Sequence, residues 1–240
     1  MADAAAAAAV TARIRADKRE AMKTLVSWST GKDSAWMLRR LEDEGEHDIA
    51  GLFCTINEAF ARTAMHAVRL ELLRAQAARL DLPLDIIEIP HQCSNAEYEA
   101  IMGDFVEMVR KRDVESFAFG DLFLEDIRDY RVRHLNGTGI KPVFPLWREP
   151  TDALAREMVN GGLEAVVTCV DPKQLAPAFV GREFDAAFLD ALPTGVDPCG
   201  ENGEFHTFVY NAPMFSHGID IAVTETHERD GFIFADVIPI

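Results

Sequence analysis

Three short stretches of the chain gather residues able to do chemistry. The first is Ser29-Thr30-Gly31-Lys32-Asp33-Ser34. Small residues let a main chain approach an anion closely. Free N–H groups at a helix start then point at that anion, helped by the helix dipole. The hydroxyls of Ser29, Thr30 and Ser34 add donors, and Lys32 adds a positive charge. In chemical terms this is a cradle for phosphate. Asp33 follows the lysine, so the G-x-x-x-x-G-K-[ST] pattern is not met, and no G-x-G-x-x-G occurs. A capped helix start accounts for the loop equally well.

The second stretch begins at Gly120-Asp121 and continues through Glu125, Asp126, Arg128, Tyr130 and Arg131. A glycine at a strand end followed by an aspartate can meet a ligand or its metal, and Arg128 can clamp a phosphate or carboxylate. Taken alone, a solvated helix with Glu/Arg pairs three or four apart is the simpler reading. The third is Asp197-Pro-Cys-Gly-Glu-Asn-Gly-Glu-Phe-His-Thr207. Asn202-Gly203 is a turn pair, but a turn has no need of Glu201, Glu204 and His206 around it. Acids and an imidazole on a tight loop suit metal binding or proton transfer. Asn57 and Arg62 are weaker candidates for ligand contact, and His66 is read as structural or exposed. Cys169 reads as a small buried residue, while the remaining histidines show no metal-ligand spacing.

The elements that must position these loops follow from apolar patterning. Residues 24–28, 49–55, 84–89 and 116–119 are short, nearly uninterrupted apolar runs, as in strands buried on both faces. Between them, residues 33–44 and 65–80 carry helical spacing, the latter through Met65, Val68, Leu72, Leu73 and Ala77. Ser94 with Glu97 three residues on predicts a capping box, opening a helix to about residue 112. Strand–helix alternation with right-handed crossovers predicts a doubly wound, mainly parallel α/β sheet. Ligands of such sheets sit outside the carboxyl ends of the strands, where strand order reverses. If the first and fourth strands are neighbours there, the first two loops face each other. Beyond about residue 140 the pattern changes to a helix at 151–160, a strand at 163–169, a short helix at 182–192 and strands at 205–210, 219–226 and 232–238. The expected division is an extension over 1–22, a nucleotide-binding unit over 23–140 and a smaller C-terminal α+β region over 141–240.

Composition narrows the function classes. The chain has 240 residues, 48% hydrophobic and 27% charged, with net charge −16. That is ordinary for a globular protein, and it argues against nucleic acid or an anionic membrane as partner. No stretch approaches the roughly 18 apolar residues of a membrane span, and the alanine-rich residues 2–21 lack the basic start and apolar core of a signal peptide. Four scattered cysteines make neither a C-x-x-C motif nor a disulfide scaffold, which fits a reducing cytoplasm.

With all three stretches in view, the chain resembles the PP-loop ATP pyrophosphatase superfamily and, within it, the diphthine–ammonia ligase family. The Ser29–Ser34 loop fits the pattern S-[GT]-G-x-D-S, and the segments 120–128 and Gly200-Glu-Asn-Gly-Glu-Phe205 fit the two motifs that set this family apart. The resemblance covers about residues 23–216. Val132 stands where the family's middle motif tends to carry a glutamate, and residues 119–128 look more like a divergent bacterial-type branch.

The resemblance implies a nucleotide α-hydrolase, Rossmann-like fold with a five-stranded parallel sheet. It implies cleavage of ATP to AMP and pyrophosphate with Mg²⁺, adenylation of a substrate carboxylate, and amidation by ammonia. Ser29, Thr30, Gly31, Lys32, Asp33, Ser34, Asn57 and Gly120 are then the expected nucleotide-binding residues. Asp33 and Asp121 are expected to support metal or water, and Arg128 to hold substrate or α-phosphate charge. Glu201 and Glu204 are expected to orient the acceptor, the metal or the incoming amine. The acceptor is a carboxylate on a modified protein side chain or a small molecule, no glutaminase unit is expected within the chain, and a homodimer is left open. The alternatives are an RNA-modifying PP-loop enzyme and a non-catalytic nucleotide sensor on the same fold.

Overall fold

The computed structural model describes residues 21–57, 62–63 (main chain) and 68–240. The N-terminal extension up to residue 20, the side chain of Arg62, and His66 lie outside the described residues. The first half runs β1 (Met22–Ser27), α1 (Lys32–Glu44), β2 (His47–Asn57), β3 (Arg62–Thr63), α2 (Leu70–Leu80), β4 (Leu84–Ile89), α3 (Asn95–Arg110), β5 (Ser116–Ala118), α4 (Glu125–Leu135) and β6 (Lys141–Val143). Five of these strands are parallel, in the spatial order β4-β2-β1-β5-β6. The two-residue β3 adds an antiparallel stub to the far end of β2. The order reverses between β1 and β5, which pair directly through Thr24–Ser116, Leu25–Phe117 and Val26–Ala118.

Side chains alternate across this sheet because a strand has period two. Val26, Leu52, Cys54 and Ala118 face one way and pack with Met37, Leu38 and Leu41 of α1 and Leu72 and Leu73 of α2. Leu25, Phe53, Phe117 and Phe119 face the other way and pack with Phe105, Val106 and Val109 of α3 and Leu135 of α4. Helices on both faces make the sheet doubly wound, and each fully buried Leu or Phe contributes about 1.5–3 kcal/mol.

Local signals set several boundaries. Gly45, at φ 68°, ends α1 and returns its N–H to the Leu41 carbonyl. Ser94 and Glu97 form the reciprocal capping box at the start of α3. Of the helix expected over 65–80, residues 64–67 lie outside the described residues; α2 as described begins at Leu70, with Arg69 extended at its N-cap. The stretch 125–135 is indeed a helix, α4, which buries only Leu135.

The second half is α5 (Thr151–Asn160), β7 (Glu164–Val170), a 3-10 turn (Pro177–Phe179), α6 (Ala186–Ala191), β8 (Phe205–Asn211), β9 (Ile221–Arg229) and β10 (Phe232–Pro239). Its four strands form an antiparallel sheet in the order β8-β7-β10-β9. The apolar cluster beneath α1 continues into this sheet through Val166, Phe205 and Phe208. Trp36 and Arg40 of α1 both bond the Glu157 carboxylate on α5. β8 lies against the start of α1, where Thr207 Oγ1 accepts the Lys32 N–H, and that contact builds the site. Among the described residues no helix is long and apolar enough to cross a membrane.

Candidate active site

The first loop leaves β1 at the point where strand order reverses. Its two serines shape it. The Ser29 N–H and hydroxyl both donate to Ser34 Oγ, at 3.3 and 3.1 Å, and the Ser34 hydroxyl donates to the Gly31 carbonyl at 2.9 Å. Thr30 sits in the left-handed region at φ 74°, a conformation that is strained for a non-glycine residue. Its buried Oγ1 has no hydrogen-bond partner. Gly31 is the N-cap of α1 and supplies no side-chain cap, so the donors of the helix start turn to acceptors outside the loop.

Lys32 does not project into the mouth of this loop. It is 2% exposed, and its ammonium donates to Asp33 Oδ2 at 2.9 Å and to the Cys199 carbonyl. The rings of Phe205 and Phe184 lie 5.4 and 5.8 Å from the nitrogen. Burial disfavours the charge, but Asp33, with Cys199 and Glu201 behind it, holds the ammonium pKa above its ordinary value. Burial pushes the Asp33 carboxyl upward against the pull of Lys32. Asp33 Oδ1 is buried and unpartnered. The Lys32 N–H donates to Thr207 Oγ1 of β8 at 3.1 Å.

The second loop touches the first at Gly120. A Cβ there would lie 3.2 Å from the Asp33 carbonyl carbon and 3.3 Å from the Ser34 nitrogen. Only a residue without a side chain allows that approach unchanged. Asp121 is turned toward α4, where Arg131 holds both carboxylate oxygens at 2.6 and 3.1 Å and stacks over Phe119. Arg128 lies over Phe144 and Trp147, 5.4 and 5.1 Å from the ring centroids, with its buried Nε unpartnered and Asp129 no nearer than 3.7 Å.

The third loop closes over the second. Glu201 Oε1 accepts the N–H groups of Leu122 and Phe123 at 2.9 and 3.4 Å. Burial pushes its carboxyl up to about 7, the Leu122 N–H pulling the other way and Asp33 adding to the rise. Glu204 braces its own loop, accepting from the Asp197 N–H and the Asn202 amide at 3.0 Å each, while its buried Oε2 has no partner. Gly200, at φ 67°, brings the turn against the Phe205 carbonyl, where a Cβ would come within 2.7 Å.

The structure therefore brings together Ser29, Thr30, Gly31, Lys32, Asp33, Ser34, Gly120 and Glu201. It turns Asp121 and Arg128 toward α4 and the aromatic wall. Asn57 ends β2 on the same rim, paired with Arg62 and Ile89. Gln76 was not singled out from sequence, although it carried a signal, a polar residue in the apolar stripe of α2 at helical spacing from Leu72 and Leu73. Arg131, Cys199 and Thr207 were named within their stretches, but without the partners they take here. A cavity of about 380 Å³ lies elsewhere, between α3 and α4, and meets the second stretch at Tyr130 and Arg131.

No group of three or more His, Cys, Asp or Glu side chains poised for a metal occurs among the described residues. Mg²⁺ is commonly held by one or two carboxylates together with substrate phosphates, and the unpartnered Asp33 Oδ1 fits that manner of binding. Asp121 has both oxygens on Arg131 and would have to exchange partners to join it.

Residues 22–142 match the diphthamide synthase N-terminal domain, and residues 150–236 match the diphthamide synthase C-terminal domain. The chain is 30% identical over 234 residues to a diphthine–ammonia ligase of Danio rerio, covering 85% of this chain and 89% of that protein. It is 26% identical over 239 residues to that of Rattus norvegicus, covering 88% of each. Against that of Homo sapiens it is 28% identical over 158 residues, which is 62% of this chain and 58% of the other. Both halves of the chain, joined through the loops just described, thus match the paired domains of one family, and the chain belongs to the diphthamide synthase family.

Proposed function

We propose that the protein is an ATP-dependent amide ligase. A carboxylate of the acceptor is adenylated with release of pyrophosphate, and ammonia then displaces AMP to form the amide. The relatives' name, diphthine–ammonia ligase, points to a diphthine-bearing protein as the first acceptor to test. The observation that carries the reading is the first loop. It presents a helix start to which the N-cap Gly31 gives no side-chain cap, an unpartnered Thr30 hydroxyl and an unpartnered Asp33 oxygen at the crevice where strand order reverses. The parallel sheet through β6 serves as the nucleotide half and the chain beyond it as the acceptor region.

Each residue takes a role from its surroundings. Ser29, Thr30, Gly31 and Ser34 form the cradle for the departing pyrophosphate. Lys32 works from beneath, pinning Asp33 and the third loop rather than gripping phosphate. Asp33 would hold Mg²⁺ through Oδ1, and the ion would neutralise phosphate charge. Gly120 allows the close approach of the second loop. Arg128, stacked on two rings with Nε unpartnered, is a cation available to a carboxylate or the α-phosphate. Glu201 titrates close to neutrality, which suits it to accept a proton as the amine attacks. Glu204 keeps the third loop in shape, and Asn57 contributes from the rim. The rate gain comes mostly from placement and charge neutralisation.

Product identity is the test. Purified protein with ATP, Mg²⁺, ammonium and a diphthine-bearing acceptor should yield AMP and pyrophosphate in step with amide. ADP and phosphate would exclude the adenylation route.

A further inference from the structure

We propose that Gln76 of α2 is a positioning residue for the phosphate-binding loop, holding the Thr30–Gly31 peptide in the orientation that aims the loop's N–H groups at its mouth. This rests on the ATP-binding reading of that loop.

Gln76 is 0% exposed. A buried amide is destabilising unless its hydrogen bonds are made, and this one is closely engaged. Its Oε1 accepts from the Trp28 indole at 2.8 Å. Its Nε2 donates to the Thr30 carbonyl at 3.0 Å and to the Val209 carbonyl at 2.6 Å. An indole nitrogen only donates and a carbonyl only accepts, so the partners themselves fix which end of the amide is which. The Thr30 carbonyl also accepts from the Val209 N–H at 3.0 Å. Two donors therefore converge on one carbonyl of the loop, one from α2 and one from β8.

That carbonyl decides where the loop points. In a planar trans peptide the N–H lies opposite the C=O. Holding the Thr30 oxygen toward α2 and β8 turns the Gly31 N–H the other way, where its partner is Ser29 Oγ at a long 3.4 Å. Thr30 sits at φ 74° in this arrangement. Such a conformation persists only where the surroundings over-determine it. Gln76 supplies that constraint, with Trp28 anchoring its other end to the chain just before the loop. A methionine of similar length would fill the volume and supply no bond.

The test compares Gln76→Met with Leu73→Ala, a loss of buried apolar volume on the same helix. Binding of Mg²⁺-pyrophosphate and of Mg²⁺-ATP is measured by calorimetry well below each variant's melting point. Gln76→Met should weaken both by about tenfold, the loss expected of one buried hydrogen bond, while Leu73→Ala stays within about twofold despite its lower Tm. Equal affinities for wild type and Gln76→Met, or equal losses in the two variants, would overturn the proposal. If the wild type binds neither probe, the ATP reading fails instead. The loop's geometry is then decided by amide exchange. Faster exchange at Gly31 in Gln76→Met, with β1 unchanged, supports the positioning role, and unchanged exchange at Gly31 overturns it.

Discussion

Lys32 separates two accounts of the loop, and Lys32→Met decides between them. Methionine keeps the unbranched apolar stem against Phe184 and Phe205 and removes the ammonium. Asp33 Oδ2 and the Cys199 carbonyl each lose a donor. Breaking a buried ion pair by removing one partner is destabilising by about 3–5 kcal/mol. The Asp33 side chain is 26% exposed, so water relieves part of this and the lower end, about 3 kcal/mol, is expected. For a chain of this size each kcal/mol moves Tm by about 2–4 °C, which gives a fall of about 6–12 °C. The effect should also depend on pH. Without Lys32, the Asp33 carboxyl rises further above its ordinary 3.8. An acid whose folded pKa lies above its unfolded one destabilises the fold at neutral pH, and the penalty disappears as pH falls toward the unfolded value. Calorimetric melting of wild type and variant should therefore show a wide gap at neutral pH that narrows in acid. An unchanged Tm together with lost ATP binding would refute the pinning account and make Lys32 a direct phosphate ligand.

Other perturbations read neighbouring parts of the site. Gly120→Val crowds Asp33 and Ser34 from 3.2–3.3 Å and should lower stability by about 1–3 kcal/mol, with weaker ATP binding measured alongside Tm. Glu201→Gln keeps an acceptor for the Leu122 N–H but removes a carboxyl whose folded pKa, about 7, exceeds its ordinary 4.5. That carboxyl makes wild-type stability fall as pH rises from 4.5 toward 7, so melting across that range should be flatter in the variant. Thr207→Val takes the acceptor from the Lys32 N–H and should weaken ATP binding by about tenfold, as one lost buried hydrogen bond would; an unaltered Kd would mean the loop needs no help from β8. Ser94→Ala breaks an exposed capping box and should lower stability by about 1 kcal/mol, a Tm fall of about 2–4 °C.

The fold was legible where apolar spacing is regular. Residues 84–89 and 151–160 coincide with β4 and α5. It was less legible where amphipathicity misleads. Val68 is 4% exposed and fits the stripe of α2, yet it precedes an extended N-cap. α4 buries a single residue, so apolar spacing carries no signal there. In the site, the order of loops follows from strand alternation, and the meeting of the first two needs only β1 beside β5. Side-chain partners do not follow from residue types. Asp121 is bound by Arg131 one helix face away, and Lys32 bonds a carbonyl 167 positions along the chain. Such pairings depend on tertiary packing.

That packing makes the phosphate loop a joint product of both halves. β8 supplies Thr207 Oγ1 to the Lys32 N–H and the Val209 N–H to the Thr30 carbonyl, while the preceding loop supplies the Cys199 carbonyl to Lys32 and Glu201 to the Leu122 N–H. Each of these bonds runs from the C-terminal region to one of the two loops at the strand-order reversal. An acceptor that shifts β8 or the third loop on binding must therefore shift the cradle as well. Linkage makes the effect reciprocal: whatever factor the acceptor brings to ATP affinity, ATP brings to acceptor affinity. The net charge of −16 does not oppose this, because on the proposed reading the phosphate would be met by N–H groups, hydroxyls and Arg128 at short range rather than by the field of the whole surface. On the proposed reading, the bonds that cross between the halves would thus be the means of tying adenylation to the presence of an acceptor.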